Sequence, residues 1–144
     1  MVLAPPQMSD AMRIHGRCHC GELTYEAEID AGQVSICHCS DCQILTGTAY
    51  RVSVPVKAGD FRILSGVPKI YVKTAESGNA RAQAFCATCG TPIYASEVNH
   101  PQTFNLRTGA IAERAELKPV RQIWCRSALD WVQDLAGMEM REKS

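Results

Sequence analysis

No block of lysine or arginine stands out in this chain, and its formal net charge is +0. A nucleic-acid surface needs clustered cations, so that class of partner is set aside. No apolar run approaches the ~20 residues of a membrane-spanning helix, which sets aside a membrane partner as well. The opening MVLAPPQMSD lacks a basic start followed by an apolar core and does not read as a secretory signal, so a cytoplasmic protein is expected. Glycine-rich phosphate loops, heptads and internal repeats of useful length are missing too, and with them the architectures they mark. Composition is not extreme: 46% hydrophobic and 21% charged residues suit a folded domain rather than a disordered chain.

What is plentiful is cysteine. Seven of the eight fall into three tight clusters, Cys18-His19-Cys20, Cys37-His38-Cys39-Ser40-Asp41-Cys42 and Cys86-Ala87-Thr88-Cys89. Without an export signal, such clusters point to reduced thiols and metal rather than disulfides. Cysteines at i and i+2 of a strand share a face and diverge, a poor start for bridging each other and a good one for gripping one ion. Bound thiolates stay ionised, so a metallated chain is more acidic than the sequence pI of 6.9 implies.

From residue 13 the chain reads as short strands, at 13–18, 22–29, 48–54, 61–64, 69–73, 82–85, 92–95, 103–107 and 120–125. Several are rich in β-branched and aromatic residues, with Gly, Asp and Pro in the gaps. The expectation is a mainly β fold of small antiparallel sheets stapled by zinc, with short helical turns. It forms one domain over 11–136, between a loose N-terminal tail (1–10, with Pro5 and Pro6) and a solvated C-terminal tail (137–144). Ser40-Asp41-Cys42-Gln43 matches a capping box, with Ser40 as N-cap, opening a turn that ends near Gly47. A second short helix is expected over 127–135, capped by Ser127.

The first and last clusters complete a four-thiolate site. Cys86 and Cys89 form a knuckle closed by Gly90; Cys18 and Cys20, followed by Gly21, face them. One structural zinc there ties the first strand to the middle of the chain. The middle cluster supplies only three ligands, Cys37, Cys39 and Cys42, which is how catalytic zinc sites differ from structural ones. Cys42, in the first helical turn, is favoured as a thiolate. Alternation turns His19 and His38 away from the metals, and His15 and His100 read as surface residues. Cys125 has two readings: a fourth ligand that closes the second site, or a small apolar core residue, which strand alternation beside Trp124 favours.

Three thiolates overcompensate the charge of zinc, so such a site is a weak Lewis acid and metal-hydroxide hydrolysis is disfavoured. It suits an incoming thiol, held as the nucleophilic thiolate for addition to a carbonyl carbon. The expected substrate is therefore a small thiol.

The segments GRCHCGELTYEAE, ICHCSDCQILTGTAY and FCATCGTPIY, with a later IW strand and Trp131, resemble the glutathione-dependent formaldehyde-activating enzymes over roughly residues 13 to 133. The resemblance implies a β-tent fold, a structural zinc on Cys18, Cys20, Cys86 and Cys89, and a catalytic zinc on Cys37, Cys39 and Cys42. It also implies condensation of glutathione with formaldehyde, a carbon–sulfur lyase type of reaction. Glutathione carries two carboxylates, so cations are expected near the three-cysteine site: Arg51 first, with Lys73, Arg81 and Arg107 further off. Gly47 and Thr48 are candidates to bring backbone N–H groups to the ligand. A homo-oligomer is compatible with these features. The alternative function is a non-catalytic, zinc-stabilised binding module; a disulfide redox role ranks last.

Overall fold

The computed structural model describes residues 10–144; the expected N-terminal tail lies outside the described residues apart from Asp10. Ten strands and one α-helix follow one another: β1 (Ala11–Arg17), β2 (Thr24–Asp30), β3 (Ser35–Cys37), α1 (Ser40–Thr46), β4 (Arg51–Lys57), β5 (Phe61–Ser65), β6 (Lys69–Thr74), β7 (Ala80–Phe85), β8 (Pro92–Glu97), β9 (Thr103–Arg107) and β10 (Arg121–Ile123). They build a three-stranded sheet, β1-β2-β5, and a seven-stranded sheet, β10-β3-β4-β9-β8-β7-β6. All pairings are antiparallel except that of β10 with β3, which is parallel.

The two sheets share one core. Ile14 from β1 and Tyr25, Ala27 and Ile29 from β2 meet Val54 and Val56 of β4 and Leu106 of β9, all buried. Period-two alternation produces this: every second residue of β2 is inside, and its neighbours Glu26 and Glu28 face solvent beside Arg13. An aromatic cluster of Phe61, Tyr94 and Phe104 closes one side, with ring centroids 4.7–5.7 Å apart.

The opposite face of the seven-stranded sheet carries the chemistry. Register places Cys37 beside both Arg51 and Ile123, Ser53 beside Arg107, Ala95 between Asn105 and Gln83, and Lys73 beside Arg81. Side chains on paired positions share a face, so polar and charged groups scattered through the sequence form one outward patch.

Two expectations about the C-terminal region are corrected. Residues 127–135 form no α-helix; only 3-10 turns at Cys125–Ser127 and Asp130–Gln133 appear. The segment is largely exposed and buries no apolar stripe, and short helices take most of their stability from such burial. Cys125 is exposed rather than in the core. Trp124 adopts a left-handed φ of 56°, which ends strand alternation one residue before the cysteine and turns it outward.

Candidate metal centres

The four-cysteine cluster sits at two matching turns, one after β1 and one after β7. The Gly21 N–H donates to the Cys18 carbonyl and the Gly90 N–H to the Cys86 carbonyl, at 3.0 and 2.8 Å. Both glycines have positive φ, 86° and 80°, which closes each turn around its pair of sulfurs. The Leu23 N–H donates to Cys18 Sγ at 3.2 Å and the Cys89 N–H to Cys86 Sγ at 3.5 Å. Cys18 and Cys86 belong to the buried core, so the turns are anchored from below.

Geometry tests the fit. Tetrahedral zinc with bonds of ~2.3 Å requires sulfurs ~3.8 Å apart. Cys18 and Cys20 are 3.6 Å apart, Cys20 and Cys86 3.8 Å, and all four sulfurs lie within 4.8 Å of one another. The residues fit a soft tetrahedral ion.

The second cluster forms where β3 runs into α1. Cys37 ends the strand; Cys39 caps the helix, its Sγ accepting the Cys42 N–H at 3.3 Å. The cap is therefore Cys39, one residue before the expected Ser40. Gln43 does reach back, but its Nε2 donates to the His38 and Ser127 carbonyls at 2.8 and 3.0 Å, pinning the C-terminal segment to the helix. A sulfur that accepts the first free amide displaces the hydroxyl from that task. Gly47 ends the helix in the left-handed region, as expected. The sulfurs of Cys37, Cys39 and Cys42 lie within 4.8 Å of one another, and Cys125 is not in the group.

His38 is buried between the ligand cysteines, stacked edge-on against Tyr50 at 5.6 Å and bonded through Nε2 to Gln122 at 2.7 Å. It packs, and does not join the sulfurs. His15 is exposed but paired with Glu113, whose carboxylate meets both its backbone N–H and its Nδ1 at 2.8 Å. His19 and His100 are exposed.

Charge is divided unequally within each cluster. Hydrogen bonding from Cys37, helped by Arg51 and Cys39, brings the Cys42 thiol down to about 5. The same contact with Cys42, together with burial, pushes Cys37 far up. In the four-cysteine cluster the Thr91 hydroxyl, 3.1 Å away, leads in bringing Cys89 down to about 5. A hydrogen bond from the Glu22 backbone favours the Cys20 thiolate, but desolvation and the adjacent thiols hold Cys20 up at about 12. Crowded thiols cannot all ionise alone, so metal loading must expel their protons.

The three-cysteine cluster opens into a cavity of about 400 Å³. Lys73, Arg81, Arg107 and Trp124 line it, with Glu76 the one carboxylate among them. Arg107 is bonded to Ser53 at 2.8 Å and Gln83 at 2.9 Å; burial, then Arg51, lowers it to about 9, still cationic at neutral pH. Lys73 is tethered to Asp41 at 2.9 Å. Arg51 is buried against Cys42 but does not line this cavity, and Gly47 and Thr48 lie at the far end of α1, also away from it. Gln83, Asn105 and Ser53 were not foreseen. Their only signal is strand parity, which has no meaning until the pairing is known.

A mainly β chain carries a four-sulfur cluster, and a three-sulfur cluster facing a cavity with three cationic side chains, each set close enough to hold a metal ion. The model of the glutathione-dependent formaldehyde-activating enzyme family matches residues 13–127, and the chain belongs to that family. No curated protein matches it. Among solved structures, a Rhodobacter sphaeroides structural-genomics protein is 20% identical, covers 77% of this chain and 99% of its own, and superposes with a TM-score of 0.58. At that identity the likeness is one of fold.

Proposed function

We propose that the chain is a zinc-dependent enzyme of the carbon–sulfur lyase type, condensing glutathione or a related small anionic thiol with formaldehyde or another small carbonyl. The observation that carries this is the three-sulfur cluster opening into a cavity lined by cations. Cys18, Cys20, Cys86 and Cys89 would hold a structural zinc, and Cys37, Cys39 and Cys42 a catalytic one. When bound there, the metal supplies stabilisation of the substrate sulfur in its thiolate form.

The chain's own residues do the rest. Lys73, Arg81 and Arg107 attract and orient the carboxylates of the thiol. Cys37, with Arg51 and Cys39 behind it, favours the Cys42 thiolate, so that ligand need not shed a proton. The thiolate sulfur then adds to the carbonyl carbon, the π electrons move to oxygen, and that oxygen takes a proton from solvent. Atoms balance without an oxidant or reductant. Free thiols throughout the described residues support a reducing, cytoplasmic location.

Because this addition also proceeds in water alone, the test is a rate. Exchange spectroscopy by NMR on mixtures of glutathione and formaldehyde should show faster adduct interconversion with substoichiometric protein, and not with Cys42→Ala. If glutathione binds with no acceleration, the non-catalytic binding module stands instead. If no thiol perturbs a cobalt-substituted second site, the reading fails altogether.

A further inference from the structure

Arg51 is 6% exposed, and its Nε is buried with no hydrogen-bond partner. On one side the guanidinium meets Cys42. It also lines a separate cavity of about 440 Å³ between α1 and the β6-β7-β8 edge of the large sheet. Gln83 is the one residue shared with the cysteine cavity. The walls are apolar: Leu45, Tyr71, Phe85, Pro92 and Tyr94. Gln83 gives its Oε1 to Arg107, so the amide's remaining group is a donor.

An apolar cavity with a buried cation and one amide donor has the form of a small-molecule site, in which a few polar groups fix the head of an apolar ligand. We propose that it binds a small apolar carboxylate, aryl or short-chain, with the carboxylate on Arg51 and Gln83 and the body between Leu45, Tyr71 and Phe85. A planar carboxylate matches the flat donor fork of a guanidinium, whereas phosphate would leave much of its hydration unreplaced. Charge favours an anion too. Arg51 and Arg107 are neighbouring buried cations, and beyond Cys42 on one side the Arg51 Nε is left without a partner. The site does not require the thiol reaction: Arg51 lines this cavity and not the cysteine cavity.

The test is calorimetric titration of the metal-loaded full chain with phenylacetate, with phenylacetamide as neutral isostere and benzylamine as cation, each repeated with saturating glutathione. Phenylacetate should bind about tenfold or more tighter than the amide, the amine should not bind, and glutathione should leave the affinity unchanged. Arg51→Gln should erase the preference for the acid. Because that change also touches Cys42, Tyr71→Ala, at a half-exposed wall, gives a second measure: both ligands weaken together and the preference stays. Equal binding of acid and amide, no binding of phenylacetate at millimolar concentration, or competition by glutathione overturns the proposal. If glutathione itself does not bind, the thiol reading fails while the phenylacetate preference stands untouched.

Discussion

The two cysteine clusters are made from the same side chain and differ in where the fold puts them. The four-sulfur cluster is continuous with the core: Cys18 and Cys86 are buried, and glycine turns wrap each pair. The three-sulfur cluster is half-buried, hangs on a strand end and a seven-residue helix, and looks into a cationic cavity. One cluster spans elements far apart in sequence and so has leverage over the whole fold; the other closes a span of six residues and has little. On the proposed reading, burial and chain separation, not ligand chemistry, divide holding from handling.

The sharpest way to break this contrast is to remove one sulfur from each. Cys86→Ala should lower stability by on the order of 5 kcal/mol and leave little folded protein, because a metal that links β1 to β7 is lost. Cys42→Ala should keep the fold, with a melting shift of about 3 °C or less, and hold one metal instead of two. Circular dichroism melts with metal analysis of both variants decide it; equal destabilisation would erase the distinction.

Next in size is the cavity charge. Lys73→Met removes a cation that faces the cysteines and should weaken glutathione binding by about three- to tenfold, read by titration, with an unchanged melt. An unchanged affinity would mean that the cavity's charge is incidental.

The acid chemistry gives a third test. Cys42 is depressed to about 5, so its thiolate is present above that pH and is lost as pH falls through it, whereas Cys37 is raised and stays protonated. In protein stripped of its second metal, mass-mapped alkylation at pH 7 should label Cys42 well before Cys37 and slow below about pH 5. Reversed order would place the shared charge on the wrong sulfur.

The smallest effect belongs to Gly47. A Cβ there meets nothing within 4 Å, but φ is +70°. Gly47→Ala should therefore cost about 1 kcal/mol from backbone strain alone, loosening α1 and the second metal without touching the first. Competition with a chelator, metal by metal, would resolve it.

Much of this was legible in the sequence. Strand 103–107 matches β9, and 61–64 and 69–73 fall within one residue of β5 and β6, because β-branched and aromatic runs there are bounded by Gly, Pro and Asp. Both sulfur sets were legible from spacing, since i, i+2 and i, i+3 pairs present their sulfurs on one side of the chain. What failed depended on three dimensions or on one dihedral. β3 was foreseen only as a lead-in at Cys37, without bounds or partners, because three residues carry no periodicity and its parallel partner β10 arrives from across the chain. Cys125 was misplaced because a single left-handed residue, Trp124, where Arg126 stacks at 4.9 Å, reverses the parity on which the core reading stood. Arg51 was singled out for the substrate, yet it backs the ligand Cys42 rather than facing the cavity.

Cys39 performs two tasks with one atom: its sulfur is a donor to any ion held by the second cluster and also accepts the Cys42 amide that begins α1. Winding of that helix and capture of an ion should consequently be coupled. Occupancy should be readable from the exchange of one amide proton with deuterated solvent, a signal that needs neither colour nor turnover. The helix is, in effect, the gauge of its own site.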